Sequence, residues 1–542
     1  MPFLLSRRCL RRFLAWFLAL GTLGCLNPEQ ALQSADGEVY ALIDARRAEL
    51  FGDPNGFRID APPNSLRQRI LDGSWQGEQV WTLLDCLEIA AENNRGFQSQ
   101  REALYQDALN VTLERWQFSS IRAFGGGGGL LGTGDEADSA EIDAGGSLSR
   151  LLGNGARVVG GIGASLFRLV RNGDGWDLAS NLSLAVTQPL LMGSGTRVTR
   201  EPLTQAERNL LYQVRSYERF RRTFGVQVAD AVYDLLQAIV VLGNEQRNYA
   251  NLVKLRERTQ ALAEAGQLSP IEADQASQDE LRSENRLLAL EANVQRQRDE
   301  FLLFLGLPIN TPFELDPNEF DRLEGNDPNL NVLTSEMVER LAVEHRLDVQ
   351  TARDQAIDAE RQVLVAADAL RAGLDVDVQV GANSRDGQPL SFEKDDLSWS
   401  AALSLDLPID RIPARNAYRN TLIQEAAAQR NRAQVEDLTR VNVRDALRNT
   451  FNTRDSYIIQ KGAVLLAERR IEGANLSLEA GRASTRDVLE AQDALLEAEN
   501  AATGALIDFT LARLQLYLEI EALRLDETGL RIEREALQGI DL

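Results

Sequence analysis

The sequence predicts a mainly α-helical chain with a smaller set of membrane-type β-strands. Three observations carry this expectation: a unit that recurs at an offset of 215 residues, two helical stretches of 68 residues each, and several strands in strict alternation. Composition agrees, since 542 residues with only 15 Pro and 3 Cys, 26% of them charged, suit long helices better than a disulfide scaffold. The balance of 58 Lys and Arg against 81 Asp and Glu gives a net charge of −23. Nucleic acid is thereby excluded as a partner, because phosphate binding needs a basic footprint.

At the N-terminus, residues 1–24 read as a secretory signal. Arg7, Arg8, Arg11 and Arg12 form a positive region, and Phe13 to Leu23 form an apolar run too short to span a bilayer as a stable anchor. Arg11-Arg12-Phe13-Leu14 also reads as a weak twin-arginine motif. The run ends in Thr22-Leu23-Gly24-Cys25, which resembles a lipobox with its first two residues in the reverse of the usual order. The resemblance implies lipid attachment at Cys25 and, with Leu26 following, transfer to the outer membrane. Cleavage removes four of the 58 basic residues and none of the 81 acidic ones, leaving a net charge of −27. Cys86 is then the one remaining thiol besides Cys25, so no internal disulfide is available.

Self-comparison divides the rest. Ala265-Gly266-Gln267-Leu268-Ser269-Pro270-Ile271-Glu272 matches Ala480-Gly481-Arg482-Ala483-Ser484-Thr485-Arg486-Asp487, and Gln275-Ala276 matches Glu490-Ala491. Leu182 to Pro189 matches Ala401 to Pro408, and Asn94 to Gln98 matches Arg346 to Gln350. The expected organisation is an anchor and belt segment at 25–80, a first repeat at 81–305, an equatorial connector at 306–336, a second repeat at 337–521 and a tail at 522–542. Each repeat runs helix, strands, long helix, turn, helix. Phe224, Val228, Ala231, Leu235, Ala238 and Leu242 fall three or four apart, the spacing of one packed helix face. The long helices, Arg197–Glu264 and Pro413–Ala480, would each extend roughly 100 Å. Their neighbours, about Trp81–Arg115 and Ser269–Leu305, together nearly equal one long helix, which suggests two short helices stacked end to end beside a long one in coiled-coil-like packing. An extended coiled coil is the simpler alternative, and the strands between the helices count against it.

In those strands, Leu397, Trp399, Ala401, Leu403, Leu405 and Leu407 alternate with polar or small residues over about the ten positions of a tilted membrane strand. Val376, Val378 and Val380 alternate likewise, as do Leu182, Leu184 and Val186. A soluble amphipathic sheet alternates in the same way; the secretion signal favours the membrane. The first repeat is longer by an insertion of 33 residues with a glycine run, Gly125 to Gly129, read as flexible loop, and an Asn154-Gly155 hairpin signal.

Several stretches in this order resemble the TolC-like outer-membrane efflux family: Leu83 to Ala90 with Asn93-Asn94, Gln188-Pro189-Leu190-Leu191, the turn at Gly266, Leu302 to Pro308, and Gly481 to Ala491. The resemblance covers about Trp81 to Glu521, with Arg95-Gly96 where the family usually has Pro-Asp. It implies a homotrimer with a long antiparallel helical tunnel and a β-barrel shared by three chains, each giving four strands, since four strands cannot close alone and lipid tolerates no open edge. It also implies partners: a periplasmic adaptor, an inner-membrane transporter and outer-membrane lipid. The cargo would be small molecules or proteins.

The resemblance assigns Asp487 and Glu490 to acidic rings at a narrow periplasmic gate, with Glu272 and Gln275 as their first-copy matches. A ring of carboxylates would attract cations. Gly266 and Gly481 sit where each long helix must reverse. Gln267, Leu268, Arg482 and Ala483 beside them are expected at the tips that meet the adaptor. A single histidine, His345, leaves neither a histidine-based triad nor a multi-histidine metal site, so neither enzyme chemistry nor a cofactor is expected. A periplasmic adaptor would show one helical hairpin and one split β domain, whereas two hairpins and two strand sets are present.

Overall fold

The computed structural model describes residues 27–52, 57–60, 64–75, 79–133, 136–169, 177–324, 330, 333–384, 391–526 and 529–532. The signal segment and Cys25 lie outside the described residues. Along the chain come α1 (Pro28–Phe51), α2 (Leu66–Leu71), β1 (Gln79–Trp81), α3 (Leu83–Asn93) and α4 (Arg95–Gln117). Then follow β2 (Ser120–Thr133), β3 (Glu136–Leu151), β4 (Arg157–Leu169), β5 (Asp177–Pro189), α5 (Thr196–Thr199), α6 (Glu201–Glu264) and α7 (Pro270–Leu305). The connector holds β6 (Phe313–Leu315) and α8 (Asn318–Glu324). The second copy comprises α9 (Ser335–His345), α10 (Leu347–Asp368), β7 (Gly373–Asn383), β8 (Leu397–Asp406), α11 (Ile412–Glu479) and α12 (Thr485–Glu519), followed by β9 (Leu523–Asp526) and β10 (Gly529–Ile532).

The long helices lie where periodicity places them. The first helix of each repeat, however, is broken, at Asn94 and at Arg346, where the backbone turns extended. In the first copy the cause is local: the Asn94 side chain accepts the Phe97 N–H at 2.9 Å and so caps a new helix. The preceding helix starts on a capping box between Thr82 and Asp85.

Two compact units result, each drawing on both copies: Met1–Phe57, Ala103–Val214 and Arg353–Asn431 form one, and Arg58–Glu102, Arg215–Ala352 and Arg432–Leu542 the other. The first holds a single antiparallel sheet in the order β2-β3-β4-β5-β7-β8. It has six strands, not the four that the resemblance implied, and the inserted stretch supplies the extra pair. The glycine run is not a loop but the middle of β2, with Gly125 paired to Gly145 and Gly129 to Glu141. Ladder hydrogen bonds need only backbone, so pairing offsets the roughly 0.5–1 kcal/mol that each strand glycine costs. Asn154-Gly155 makes the β3–β4 turn as expected. Gly155 has φ +95°, and a Cβ there would lie 2.8 Å from the Gly193 carbonyl oxygen.

The second unit shows the end-to-end arrangement that helix lengths suggested. The end of α7 abuts the α3–α4 break, where Asn94 donates to the Phe304 carbonyl at 2.6 Å. The end of α12 abuts the α9–α10 break, where Arg346 pairs with Glu519. Alongside the long helices, Arg256 of α6 binds Glu280 of α7 at 2.6 Å, and Thr450 of α11 donates to the Ala512 carbonyl of α12 at 3.1 Å. Strand β1 pairs in parallel with β6, stacking Trp81 on Phe313 with centroids 4.7 Å apart. One core of this unit gathers Val338, Val443, Leu516 and Leu523, each fully buried.

Candidate functional site

Two features bear on function, the sheet of the first unit and the helix reversals of the second. Residues paired across the sheet share a face, so the ladder can be read as rows. One row runs Phe124, Gly146, Ile162, Leu182, Ala382, Leu397, and the next parallel row Arg122, Leu148, Gly160, Leu184, Val380, Trp399. The opposite face carries Ala123, Ser147, Gly161, Ser183, Gly381, Ser398 and then Ile121, Ser149, Val159, Ala185, Gln379, Ser400. One face is thus mainly apolar and the other mainly small or polar across the six strands, inserted pair included, with Arg122 at the edge of the first face and Ile121 and Val159 on the second. Most of the apolar face is uncovered: Trp399 is 75% exposed and Ile162 62%, while Leu166 and Ala382 on the same face are buried. A soluble sheet buries such a face, whereas a membrane wall turns it to lipid.

The two reversals share one backbone shape. Gly266 at φ +70° and Gly481 at φ +68° end the long helices in the left-handed conformation. The amides of Gln267 and Leu268 return to the Leu262 carbonyl at 2.9 and 3.3 Å, and those of Arg482 and Ala483 to Ser477 at 2.8 and 3.2 Å. Gln267 and Arg482 are exposed, and Leu268 and Ala483 half-buried. Below the second reversal Leu252 and Leu255 of α6 pack on Val488 and Leu489 of α12, with Leu478 of α11 against them. Buried Thr485 donates to Glu272 at 3.3 Å and so ties the two copies together.

That packing turns Asp487 and Glu490 outward, and both are exposed. Each has a local partner. Asp487 accepts from the Ser484 amide and hydroxyl at 2.8 Å each, closing a capping box on α12. The Ser484 amide and then its hydroxyl hold the Asp487 carboxyl below its usual range. Glu490 accepts from Arg486 at 2.9 Å. Glu272 and Gln275 are half-buried. Sequence reading missed Thr485 and Arg486, although the Ser484-x-x-Asp487 pattern is a legible capping signal. It also missed a polar groove of about 560 Å³ among α6, α11 and α12, lined by Asp230, Asn449, Thr453 and Asp508 among others. Burial raises the Asp230 and Asp234 carboxyls, and for Asp234 the charges of Asp230 and Asp508 add to the rise. Among the described residues no group of His, Cys, Asp and Glu is arranged to hold a metal. Burial, followed by the charges of Asp85 and Glu319, raises the pKa of the Cys86 thiol and leaves it inert.

No protein-family model matches the chain, and no curated protein matches it by sequence. Solved structures do resemble it. The outer-membrane channel OprN superposes with a TM-score of 0.58 at 15% identity, covering 84% of this chain and 92% of that one. The outer membrane protein VceC of Vibrio cholerae gives 0.58 at 14% identity, covering 81% and 95%. The CmeC outer membrane channel of Campylobacter jejuni gives 0.58 at 14%, covering 84% and 88%. The fold is that of outer-membrane channels, as the resemblance to the TolC-like family implied.

Proposed function

We propose that three copies of this chain form a lipid-anchored outer-membrane channel, a passive conduit in a tripartite efflux or type I secretion assembly, with no catalytic chemistry. The two-faced six-stranded sheet carries this reading, because an uncovered apolar face with open edges is satisfied in lipid only by closure with further strands. Unpartnered apolar residues on the helices support the same assembly: Ile459 and Leu466 of α11 are 69% and 65% exposed, and Ile271 of α7 is 68% exposed. In this reading the helix reversals meet a periplasmic adaptor, which connects to an inner-membrane transporter, and Asp487 with Glu490 lines the narrow end. The doubled hairpin and the unbroken six-stranded sheet count against an adaptor or a purely structural coiled-coil lipoprotein.

The test is fractionation followed by gel analysis without boiling. A heat-modifiable homotrimer is expected in the outer-membrane fraction, and a monodisperse monomer in detergent would remove the channel reading. Radioactive palmitate should label the wild type and not Cys25→Ala; equal labelling of both removes the anchor alone.

A further inference from the structure

We infer that the membrane wall is an eighteen-stranded barrel, closed where β8 of one copy pairs with β2 of the next, and that the inserted pair of strands is part of that wall. The inference rests on the trimeric channel reading above and changes its exit from the twelve strands that four per chain would give.

Three observations point to it. First, among the described residues β2 and β8 are the edges of the sheet and each has one neighbour, so each presents a row of backbone donors and acceptors to a further strand. Second, the strand number is even and every pairing is antiparallel. The two edges therefore run in opposite directions, which is what an antiparallel junction between copies requires. Third, the mainly apolar and mainly polar faces continue from β8 through β2, with Phe124 on the first and Ala123 and Gly125 on the second. Phe124 at one edge stands in the same row as Leu397 at the other, so a neighbouring copy extends both faces in phase. A hairpin folded away as a plug or an external loop has no need of an apolar face aligned with the rest of the wall. A second copy is thus the occupant that matches edge, direction and face together.

Geometry sets the size and the register. With strands about 4.8 Å apart and tilted about 40°, eighteen strands close at roughly 36 Å between opposite backbones, against roughly 24 Å for twelve. Glycine and serine on the polar face, Gly125, Gly145, Gly161, Ser147 and Ser183 among them, take little of that width. Tilt also makes each six-stranded segment climb by about six to eight residues before it meets the next copy. Because the polar faces must coincide, Ser404 of β8 then meets β2 of the next copy at Ala123 or Gly125.

Paired cysteines test this in the full chain, in isolated outer membranes treated with a mild oxidant; buried Cys86 stays out of the reaction. Ser404→Cys combined with Ala123→Cys or with Gly125→Cys should give disulfide-linked dimers and trimers about tenfold above Ser404→Cys alone. A cysteine meets no steric obstacle at Gly125, since nothing lies within 4 Å of a Cβ built there. Ser404→Cys with Val159→Cys, on the same face of β4, should stay at background. Linkage to Val159 and not to β2 would mean that β8 joins β4 and that the inserted pair is excluded, which overturns the proposal. So would absence of linkage from both sets in a protein that light scattering in detergent shows to be trimeric. A monomer by light scattering would instead overturn the channel reading, and this proposal with it.

Discussion

Residues 306 and 521 stand at matched positions in the two repeats, 215 apart, and they end the returning helices in one backbone shape with opposite chemistry. Gly306 has φ +81° and Glu521 φ +60°, the one non-glycine residue with positive φ among the described residues. The next amide closes the same turn in both, Leu307 to the Leu302 carbonyl and Ala522 to the Tyr517 carbonyl, each at 2.9 Å. In the first copy glycine is required twice over, because the conformation is left-handed and a Cβ would stand 2.2 Å from the Asn93 carbonyl oxygen. In the second copy the backbone strain, of order 1–2 kcal/mol, is accepted. Charge acts at the same residue: Arg219 and Arg222 each bind the Glu521 carboxylate at 2.9 Å, against a burial that still raises its carboxyl above the usual range. Around them lie Glu218, Glu519 and Arg346, largely buried, and the partly exposed Asp348, where the first copy has neutral Asn94. A duplicated backbone thus preserves its turn while each copy solves the same helix ending with different side chains.

The largest expected effect comes from breaking the glycine side of this comparison. Gly306→Ala forces both a clash with backbone and a left-handed alanine, and should destabilise by more than about 3 kcal/mol. Loss of the trimer or of accumulation in the membrane checks it; a normal thermal transition would mean the contact with Asn93 relaxes freely. The charged side should yield less. Glu521→Gln keeps the shape and hydrogen bonding but leaves buried Arg222 and half-buried Arg219 short of a counter-charge, at a cost of about 2 kcal/mol. Glu521→Gly relieves the strain and still removes the carboxylate, so it should be no more stable than the wild type in urea unfolding. A more stable Glu521→Gly would show that strain outweighs the ion pairs.

A smaller, pH-dependent effect sharpens the same contrast. Burial alone would raise the Asp348 carboxyl, but the bonds from Arg346 and the charge of Arg219 bring it below its ordinary 3.8. A depressed folded value means that its stabilisation is complete above the ordinary range and is lost as pH falls through the depressed one. Asp348→Asn should therefore flatten the acid limb of stability against pH, whereas Asn94, without a titrating partner at the matched break, contributes no such slope. An unchanged acid limb would remove Asp348 from the network.

The smallest effect is at the reversals. Asp487→Asn with Glu490→Gln should shift the reversal potential under a salt gradient partway toward zero, more at low ionic strength, where screening is weaker. The shift is expected to be partial because Arg486 offsets Glu490 and the remaining chain is acidic. The first-copy change Glu272→Gln should shift it less, since that carboxylate is half-buried and engaged by Thr485. No shift in a correctly assembled double mutant would take Asp487 and Glu490 out of the gate and leave the channel reading in place.

The repeat, the helix lengths, the reversals at Gly266 and Gly481 and the alternation of β5, β7 and β8 are all properties of local periodicity, and the sequence by itself determined them. A helix face, a strand face and a left-handed glycine each leave a signature within a few residues of chain. The break at Arg346, the conversion of Gly125–Gly129 from loop to strand, and the left-handed Glu521 were decided only by tertiary structure. In each case the deciding partner is distant in sequence: Glu519 for Arg346, β3 for the glycine run, and Arg219 with Arg222 for Glu521. Composition ranks what a residue prefers when alone; which preference yields depends on the energy of contacts formed only after the chain has folded back on itself.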